Sequence, residues 1–174
     1  MRYLLTIDLP ESYAKRVKKL QEKHRPDAWK IMIDPHVTLT ISRETELKPA
    51  EAKRILKAAS LKSEPFELRL KGIRQFRNSR VRVIYVGAEL TKPLKRLYRN
   101  AMRELGGLLL PEDKKRFTPH VTVSNRLTPK EARRIIGELK AENLNYNFVV
   151  RCVSLYKKGP KDKRWAHLAD KWLG

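Results

Sequence analysis

The stretch PHVTLT at residues 35–40 recurs as PHVTVS at residues 119–124. In each copy polar and apolar residues alternate, which predicts a β-strand, because successive side chains of a strand point to opposite faces. The histidine and the threonine of each copy therefore share one face, and the valine between them lies on the other. Each copy thus presents one imidazole and one hydroxyl above an apolar face; these residues are His36, Thr38, His120 and Thr122.

A predicted helix follows each copy. Residues 47–56, LKPAEAKRIL, resemble residues 127–136, LTPKEARRII, and the first copy carries four extra residues between its strand and its helix. Proline suits the first helical position, and Thr128 with Glu131 has the spacing of a capping box. A chance likeness of two helix starts does not explain why each also follows the same strand, so we interpret the pattern as an internal duplication.

The surrounding segments repeat the same plan more loosely. Each half reads as strand, helix, motif strand, helix, strand, and the last segment, 165–173, fits either a strand or a short helix. This order predicts an α+β fold of two lobes related by a pseudo-twofold axis. Each lobe should have a mostly antiparallel sheet with helices on its outer face, leaving a central cleft between the open sheet faces. The outer strands are predicted at 3–9, 66–76, 81–88 and 147–157, and the first helix of each half at about 10–23 and 92–105.

Composition narrows the class of protein. A chain of 174 residues can bury a sizeable core and needs no disulfide bonds or structural metal to be stable. The single Cys152 excludes a disulfide framework and a cysteine metal cluster, which favours a reducing compartment. Asp8 interrupts the short apolar run at the N-terminus, so that run fits a first strand better than a signal peptide, and no stretch approaches membrane-spanning length. We predict a cytoplasmic protein without membrane association.

The formal net charge of +21 favours polyanionic partners. A solvated, basic helix surface explains many of these lysines and arginines equally well. The run at residues 74–80 is more specific, because Phe76 could stack on a base while Arg77 and Arg80 pair with phosphate. An ordinary basic hairpin turn remains the alternative for this run.

The motif residues suit phosphate-ester chemistry. Two facing strands of this kind would supply two histidines that exchange protons near neutral pH and two hydroxyls that donate to phosphate oxygens. Neither copy has a carboxylate or cysteine at ligand spacing, which argues against a metal site. If the second motif strand continues regularly, Ser124 and Arg126 share the face of His120. Arg126 is therefore a predicted further phosphate contact, and a solvated arginine at a strand end is the alternative.

With these motifs the sequence resembles the two-histidine (2H) phosphoesterases, specifically the LigT-like RNA 2′,3′-cyclic phosphodiesterases and 2′-5′ RNA ligases, with some likeness to YjcG-like members. The resemblance rests on the paired His-x-Thr-x motifs, the FTPHVTV context at 117–123 and the strand VIYVG at 83–87, and it covers nearly the whole chain. It implies one LigT-like domain, residues 1–174, made of two intimately packed repeats. The motif halves of these repeats lie around 36–56 and 120–136.

The resemblance also implies an activity. RNA ends carrying a 2′,3′-cyclic phosphate would be hydrolysed to a phosphomonoester, the 2′-phosphate, with no metal or other cofactor, and 2′-5′ ligation would be the reverse reaction. His36 would be the proton donor and His120 the proton acceptor, with Thr38 and Thr122 on the phosphate. The implied partner is an RNA or nucleotide with a cyclic phosphate, and no obligate protein partner is evident. A tRNA half, a small RNA end, a cyclic dinucleotide and an ADP-ribose cyclic phosphate share this reacting group.

A different class of function fits the same charge. A non-catalytic RNA-binding module of duplicated ferredoxin-like architecture would also be strongly basic, and its histidines would contact phosphate without transferring protons. Binding that survives replacement of both histidines, with no turnover of any cyclic phosphate, would favour the module.

Overall fold

The computed structural model describes residues 1–24, 33–61, 63–77, 82–105 and 117–174. Within these ranges it has eight strands and four helices, which confirms the predicted α+β class. In chain order they are β1 Arg2–Asp8, α1 Glu11–His24, β2 His36–Ile41, α2 Pro49–Ser60, β3 Phe66–Arg77, β4 Arg82–Ala88, α3 Lys92–Leu105, β5 His120–Leu127, α4 Pro129–Leu139, β6 Tyr146–Val150, β7 Cys152–Lys158 and β8 Ala166–Trp172. The terminal segment is therefore a strand.

All neighbouring strands pair antiparallel, in the order β6-β3-β4-β5-β2-β1-β7-β8. The first lobe consists of β2, β1, β7 and β8, and the second lobe of β5, β4, β3 and β6. The lobes meet at β2 and β5, where a single pair of residues, Val37 and Val121, is in register. The two predicted sheets are thus the two halves of one sheet that is continuous across this short seam.

The two sequence repeats exchange elements between the lobes. Strand β3 follows the first motif in sequence but pairs with β4 of the second lobe, whereas β7 follows the second motif and pairs with β1 of the first. Helix α1 packs on β5, and α3 packs on α2 and β2. Both lobes still have the same internal order, since β7-β1-β2 matches β3-β4-β5. The pseudo-twofold relation therefore holds, but neither lobe is built from one repeat alone.

The described helices cover one face of the sheet and leave its other face free of helices. The buried side of α1 includes Tyr13, Val17 and Leu20. The Tyr13 hydroxyl donates to the carbonyl of Leu144 at 2.7 Å, and its ring stacks on Tyr146. Strands contribute alternate residues to this core, so the polar residues between them face the open side. The core residues of the two motif strands are Val37, Leu39, Val121 and Val123. None of the described helices is long and apolar enough to cross a membrane.

Candidate active site

The structure brings the four motif residues together on the open face at the seam. Strands β2 and β5 run antiparallel with Val37 opposite Val121, so the adjacent positions set each motif histidine opposite the threonine of the other copy. All four side chains line one pocket of about 130 Å³. A pocket of this size suits a single phosphate group rather than a whole nucleotide. The four residues are His36, Thr38, His120 and Thr122.

The two imidazoles are held in the same way. The Nδ1–H of His36 donates to the carbonyl of Asp34 at 2.7 Å, and that of His120 donates to the carbonyl of Thr118 at 2.8 Å. A carbonyl only accepts hydrogen bonds, so each neutral ring carries its proton on Nδ1 and keeps Nε2 as the acceptor. The Thr38 hydroxyl donates to Nε2 of His36 at 3.1 Å. Both rings thus keep the nitrogen that exchanges a catalytic proton on the edge away from the backbone.

Burial lowers the pKa of both histidines, because it disfavours the charged imidazolium. The bond to the Asp34 carbonyl and the carboxylate of Asp8 oppose this effect on the pKa of His36, while the proximity of His120 adds to it. The hydrogen bond to the Thr118 carbonyl raises the pKa of His120 and so opposes the effect of burial. The neutral form is therefore favoured at both positions in the free protein, and a bound phosphate anion would favour the charged form.

Two further polar residues line the pocket and were not predicted from the sequence. Gln21 of α1 donates from Nε2 to the carbonyl of Thr122 at 2.8 Å and so ties the helix to the second motif strand. Its sequence position offered a signal, because a polar residue one turn after Val17 interrupts an apolar stripe. Asn125 also lines the pocket, and its Oδ1 is buried without a hydrogen-bond partner among the described residues. This oxygen could accept a hydrogen bond from a substrate hydroxyl or amine.

Arg126 does not follow the regular alternation on which its prediction rested. Strand β5 pairs with β4 through two register shifts, between Arg82 and Ile84 and between Ile84 and Tyr85. Such bulges change which residues face each side of a sheet. Ser124 is consequently buried, Arg126 is exposed with a φ of 55°, and Asn125 is the residue that lines the pocket. A phosphate contact by Arg126 stays a prediction without that geometric support.

An aromatic wall lies beside His120 in the second lobe. Phe76 and Tyr85 stack with ring centroids 4.2 Å apart, and their centroids lie 5.0 and 5.1 Å from that of His120. Phe76 is 36% exposed, so one side of the stack is open to solvent. Arg74 lies across Gly87, where a Cβ would come within 3.3 Å of its Nε. The wall therefore combines exposed aromatic surface with a guanidinium group.

The other predicted RNA-binding residues have different surroundings. Arg77 is exposed at the end of β3, where it is the register partner of Arg82. Arg80 lies outside the described residues. Of the three predicted positions, the structure places Phe76 against the ring of His120, which lines the pocket.

A polar wall lies beside His36 in the first lobe. The carboxylate of Asp8 accepts from the Thr6 hydroxyl at 2.7 Å through Oδ1 and from the Tyr156 hydroxyl at 2.6 Å through Oδ2. The ring of Tyr156 meets the edge of His167, which contacts Asp170 at 2.8 Å. In the described part of the chain no three metal-ligating side chains form a cluster. The two walls thus differ in charge, acidic near His36 and basic near His120.

A family model described as the 2′-5′ RNA ligase superfamily matches residues 9–162. The chain is 28% identical over 160 residues to an RNA 2′,3′-cyclic phosphodiesterase of Methanocaldococcus jannaschii, covering 90% of this chain and 91% of that protein. It is 30% identical over 139 residues to a putative phosphoesterase of Bacillus licheniformis, covering 76% of this chain and 80% of that protein.

Solved structures share the fold. The chain is similar to a protein of Thermus thermophilus, with a TM-score of 0.69 and 20% identity over 99% of this chain and 98% of that one. It is similar to Escherichia coli LigT bound to 3′-AMP, with a TM-score of 0.67 and 21% identity over 99% of this chain and 97% of that one.

Proposed function

Because the chain belongs to the 2′-5′ RNA ligase superfamily of LigT-like, two-histidine phosphoesterases, we propose that it is an RNA 2′,3′-cyclic phosphodiesterase. The observation that carries this proposal is the convergence of two equivalent histidines and two threonines on one phosphate-sized pocket. The M. jannaschii relative, which matches nearly the full length of both chains, supports the same reaction.

The reaction needs one base and one acid on opposite sides of phosphorus. We assign His120 as the base that takes a proton from the attacking water through Nε2, and His36 as the acid that gives a proton to the departing 3′ oxygen. A new P–O bond forms to the water oxygen as the P–O3′ bond breaks, which leaves a 2′-phosphate and a 3′-hydroxyl. With the 5′-hydroxyl of a second RNA in place of water, the same opening of the cyclic phosphate forms a P–O5′ bond as P–O3′ breaks and so would join a 2′-5′ linkage.

The threonines hold the phosphate in this mechanism. Thr38 and Thr122 donate to the non-bridging oxygens, where negative charge is held in the transition state. In the free protein the Thr38 hydroxyl donates to Nε2 of His36. When it turns to the phosphate, that nitrogen is released to carry the catalytic proton. The unpaired Oδ1 of Asn125 in the same pocket offers an acceptor to a substrate hydroxyl, such as one of the ribose.

The surroundings of the pocket favour an RNA or nucleotide substrate. The open side of the Phe76–Tyr85 stack suits a nucleobase, and Arg74 suits a neighbouring phosphate. E. coli LigT, which has the same fold, has been crystallised with 3′-AMP. The net charge of +21 supports binding of a longer RNA strand.

The test is hydrolysis of an RNA ending in a 2′,3′-cyclic phosphate, in the presence of a chelator. The wild type should produce the 2′-phosphate, which is told from the 3′-phosphate by chromatography against standards. His36→Ala and His120→Ala should each lower kcat by about 10²- to 10⁴-fold, because each removes one proton-transfer group. His24→Ala, at the end of α1 and outside the pocket lining, is the matched control and should keep wild-type activity. An inert wild type, or full activity in either motif variant, would refute the proposal.

The net charge of +21 also supports the second candidate, an RNA-binding module without catalysis. In that case RNA affinity should be the same in the His36→Ala/His120→Ala double variant as in the wild type, and no cyclic phosphate should turn over. Turnover by the wild type would exclude this candidate.

A further inference from the structure

The two histidines face different residues at equivalent positions. Asp8 of β1 is the register partner of His36, and Gly87 of β4 is the register partner of His120. Strands β1 and β4 occupy the same place in the two lobes, each next to its motif strand. The equivalent position therefore holds a carboxylate beside one histidine and no side chain beside the other.

The Asp8 carboxylate is fixed at this position. Each of its oxygens accepts one hydroxyl, from Thr6 and from Tyr156. His36 gives its Nδ1 proton to the Asp34 carbonyl, so Asp8 affects the imidazole through its charge and not through a direct bond. This negative charge raises the pKa of His36 against the opposing effect of burial.

The charged group near His120 is a cation, whereas the one beside His36 is an anion. The place that a side chain at residue 87 would fill is crossed by Arg74, whose Nε lies 3.3 Å from the position of a Cβ on Gly87. The pKa of His120 is lowered by burial, with the bond to the Thr118 carbonyl as the opposing contribution. Two carboxylates, Asp8 and Asp34, raise the pKa of His36, and none contributes to that of His120.

We infer that Asp8 is a positioning residue whose charge favours the catalytic proton on His36 over His120, and so helps to make two nearly equivalent histidines into one acid and one base. The inference rests on the proposed function, since that reaction requires one protonated and one unprotonated imidazole. It assigns a role to a residue outside both motifs. The titratable groups around the Asp8–His36 pair are Asp34 before β2, His120 on β5, Cys152 and Tyr156 on β7, and His167 and Asp170 on β8.

The first test is an NMR titration of the two imidazoles in the full chain without substrate. Asp8→Asn should lower the pKa of His36 and leave the pKa of His120 unchanged. Asp170→Asn is the matched control, because it removes an equal charge further along the same sheet and should leave the pKa of His36 unchanged. An unaltered His36 pKa in Asp8→Asn, or equal shifts of both histidines, would overturn the inference. The titration needs no turnover, so its outcome is independent of whether the protein hydrolyses cyclic phosphates.

A second variant distinguishes this electrostatic role of Asp8 from a general disturbance of the structure. It also tests the inference if Asp8→Asn does not fold. Tyr156→Phe removes a hydroxyl that offsets part of the Asp8 charge, so the pKa of His36 should rise, opposite to the change in Asp8→Asn. A fall of this pKa in Tyr156→Phe would overturn the inference.

The third readout is the pH profile of kcat/KM on a cyclic-phosphate RNA. Loss of the protonated form of His36 sets its basic limb, which Asp8→Asn should move to lower pH. On that limb each unit of pKa change lowers the rate about tenfold. A uniform loss at every pH would point to a merely structural role and would overturn the inference.

Discussion

Val37 lies directly opposite Val121 at the seam between the two lobes. Both valines are fully buried on the helix-covered side, so the residues that flank them face the open side of the sheet. In a duplicated chain this one pairing places two histidines and two threonines around a single point. The geometry of the pocket therefore follows from the meeting of two short strands that share the residues His-Val-Thr, and no loop has to be positioned to form its centre.

Replacing either motif threonine by valine should lower kcat by about 10²- to 10³-fold, because one donor to the transition-state oxygens is lost while the shape is kept. Thr38→Ser and Thr122→Ser retain the hydroxyl and should keep most of the activity. Steady-state kinetics on a cyclic-phosphate RNA compares the valine variant with the serine variant at each of the two positions. If Thr38→Val and Thr122→Val changed KM with kcat intact, the threonines would be binding groups without a role in the transition state.

The elements and the centre of the site were predictable because their signals are local and occur twice. Alternation within PHVTLT and PHVTVS gives the strands and the shared face of histidine and threonine, and the proline with its capping box gives the helix starts. Each of these signals depends on residues less than about one helical turn apart. Repetition then separates the functional residues from ordinary polar residues on a strand.

The remaining features of the fold and the site depend on which strands pair and in what register. The alternation of polar and apolar residues within a strand indicates neither its partner nor its register. The exchange of β3 and β7 between lobes leaves their own patterns unchanged, so the sequence did not predict it. The importance of Asp8 and Gly87 depends on their being the cross-strand partners of the two histidines, and the sequence does not show that pairing. The bulges in β5 replace Arg126 by Asn125 in the pocket, because an extra residue on one strand shifts the alternation beyond it.

Phe76→Ala should weaken binding of a cyclic-phosphate RNA by about 1–3 kcal/mol, because one base loses its stacking partner. Phe76→Tyr keeps the aromatic face and should bind like the wild type. Val149→Ala is a control for lost apolar surface, since Val149 is exposed on β6 of the same lobe. Binding is measured by fluorescence anisotropy in the catalytically impaired His36→Ala background, which leaves the His120 ring beside Phe76 in place. Equal affinities for Phe76→Ala and Val149→Ala would show that the exposed ring does not contact the RNA.

The two histidines should make the fold less stable as the pH falls. Burial lowers both pKa values in the native state, so below the ordinary value of about 6.5 the unfolded chain binds more protons than the folded one. The free energy of unfolding should therefore decline from pH 7 towards pH 5. In the His36→Gln/His120→Gln variant this decline should be smaller, as denaturant unfolding at both pH values will measure. At pH 8 both imidazoles are neutral in the folded and the unfolded state. The difference in the free energy of unfolding between variant and wild type at this pH therefore reports only the changed packing of the two side chains. An identical decline in variant and wild type would contradict the assigned pKa directions.

The duplicated helix starts differ at the N-cap residue, which is Lys48 at α2 and Thr128 at α4. At α4 the Thr128 hydroxyl accepts from the backbone of Glu131, and the Glu131 carboxylate accepts from the backbone of Thr128. At α2 Glu51 likewise accepts from the backbone of Lys48, but the lysine side chain has no acceptor and adds a positive charge at a helix N-terminus.

Lys48→Thr should therefore complete the second capping box and raise the free energy of unfolding by about 1 kcal/mol, and Thr128→Lys should lower it by a similar amount. Thr128→Ser keeps the acceptor and should be neutral. Denaturant unfolding at pH 7 measures all three variants, and hydrolysis of a cyclic-phosphate RNA should be unchanged in Lys48→Thr because residue 48 lies outside the pocket lining. A destabilised Lys48→Thr would mean that the lysine stem contributes packing that outweighs the missing cap.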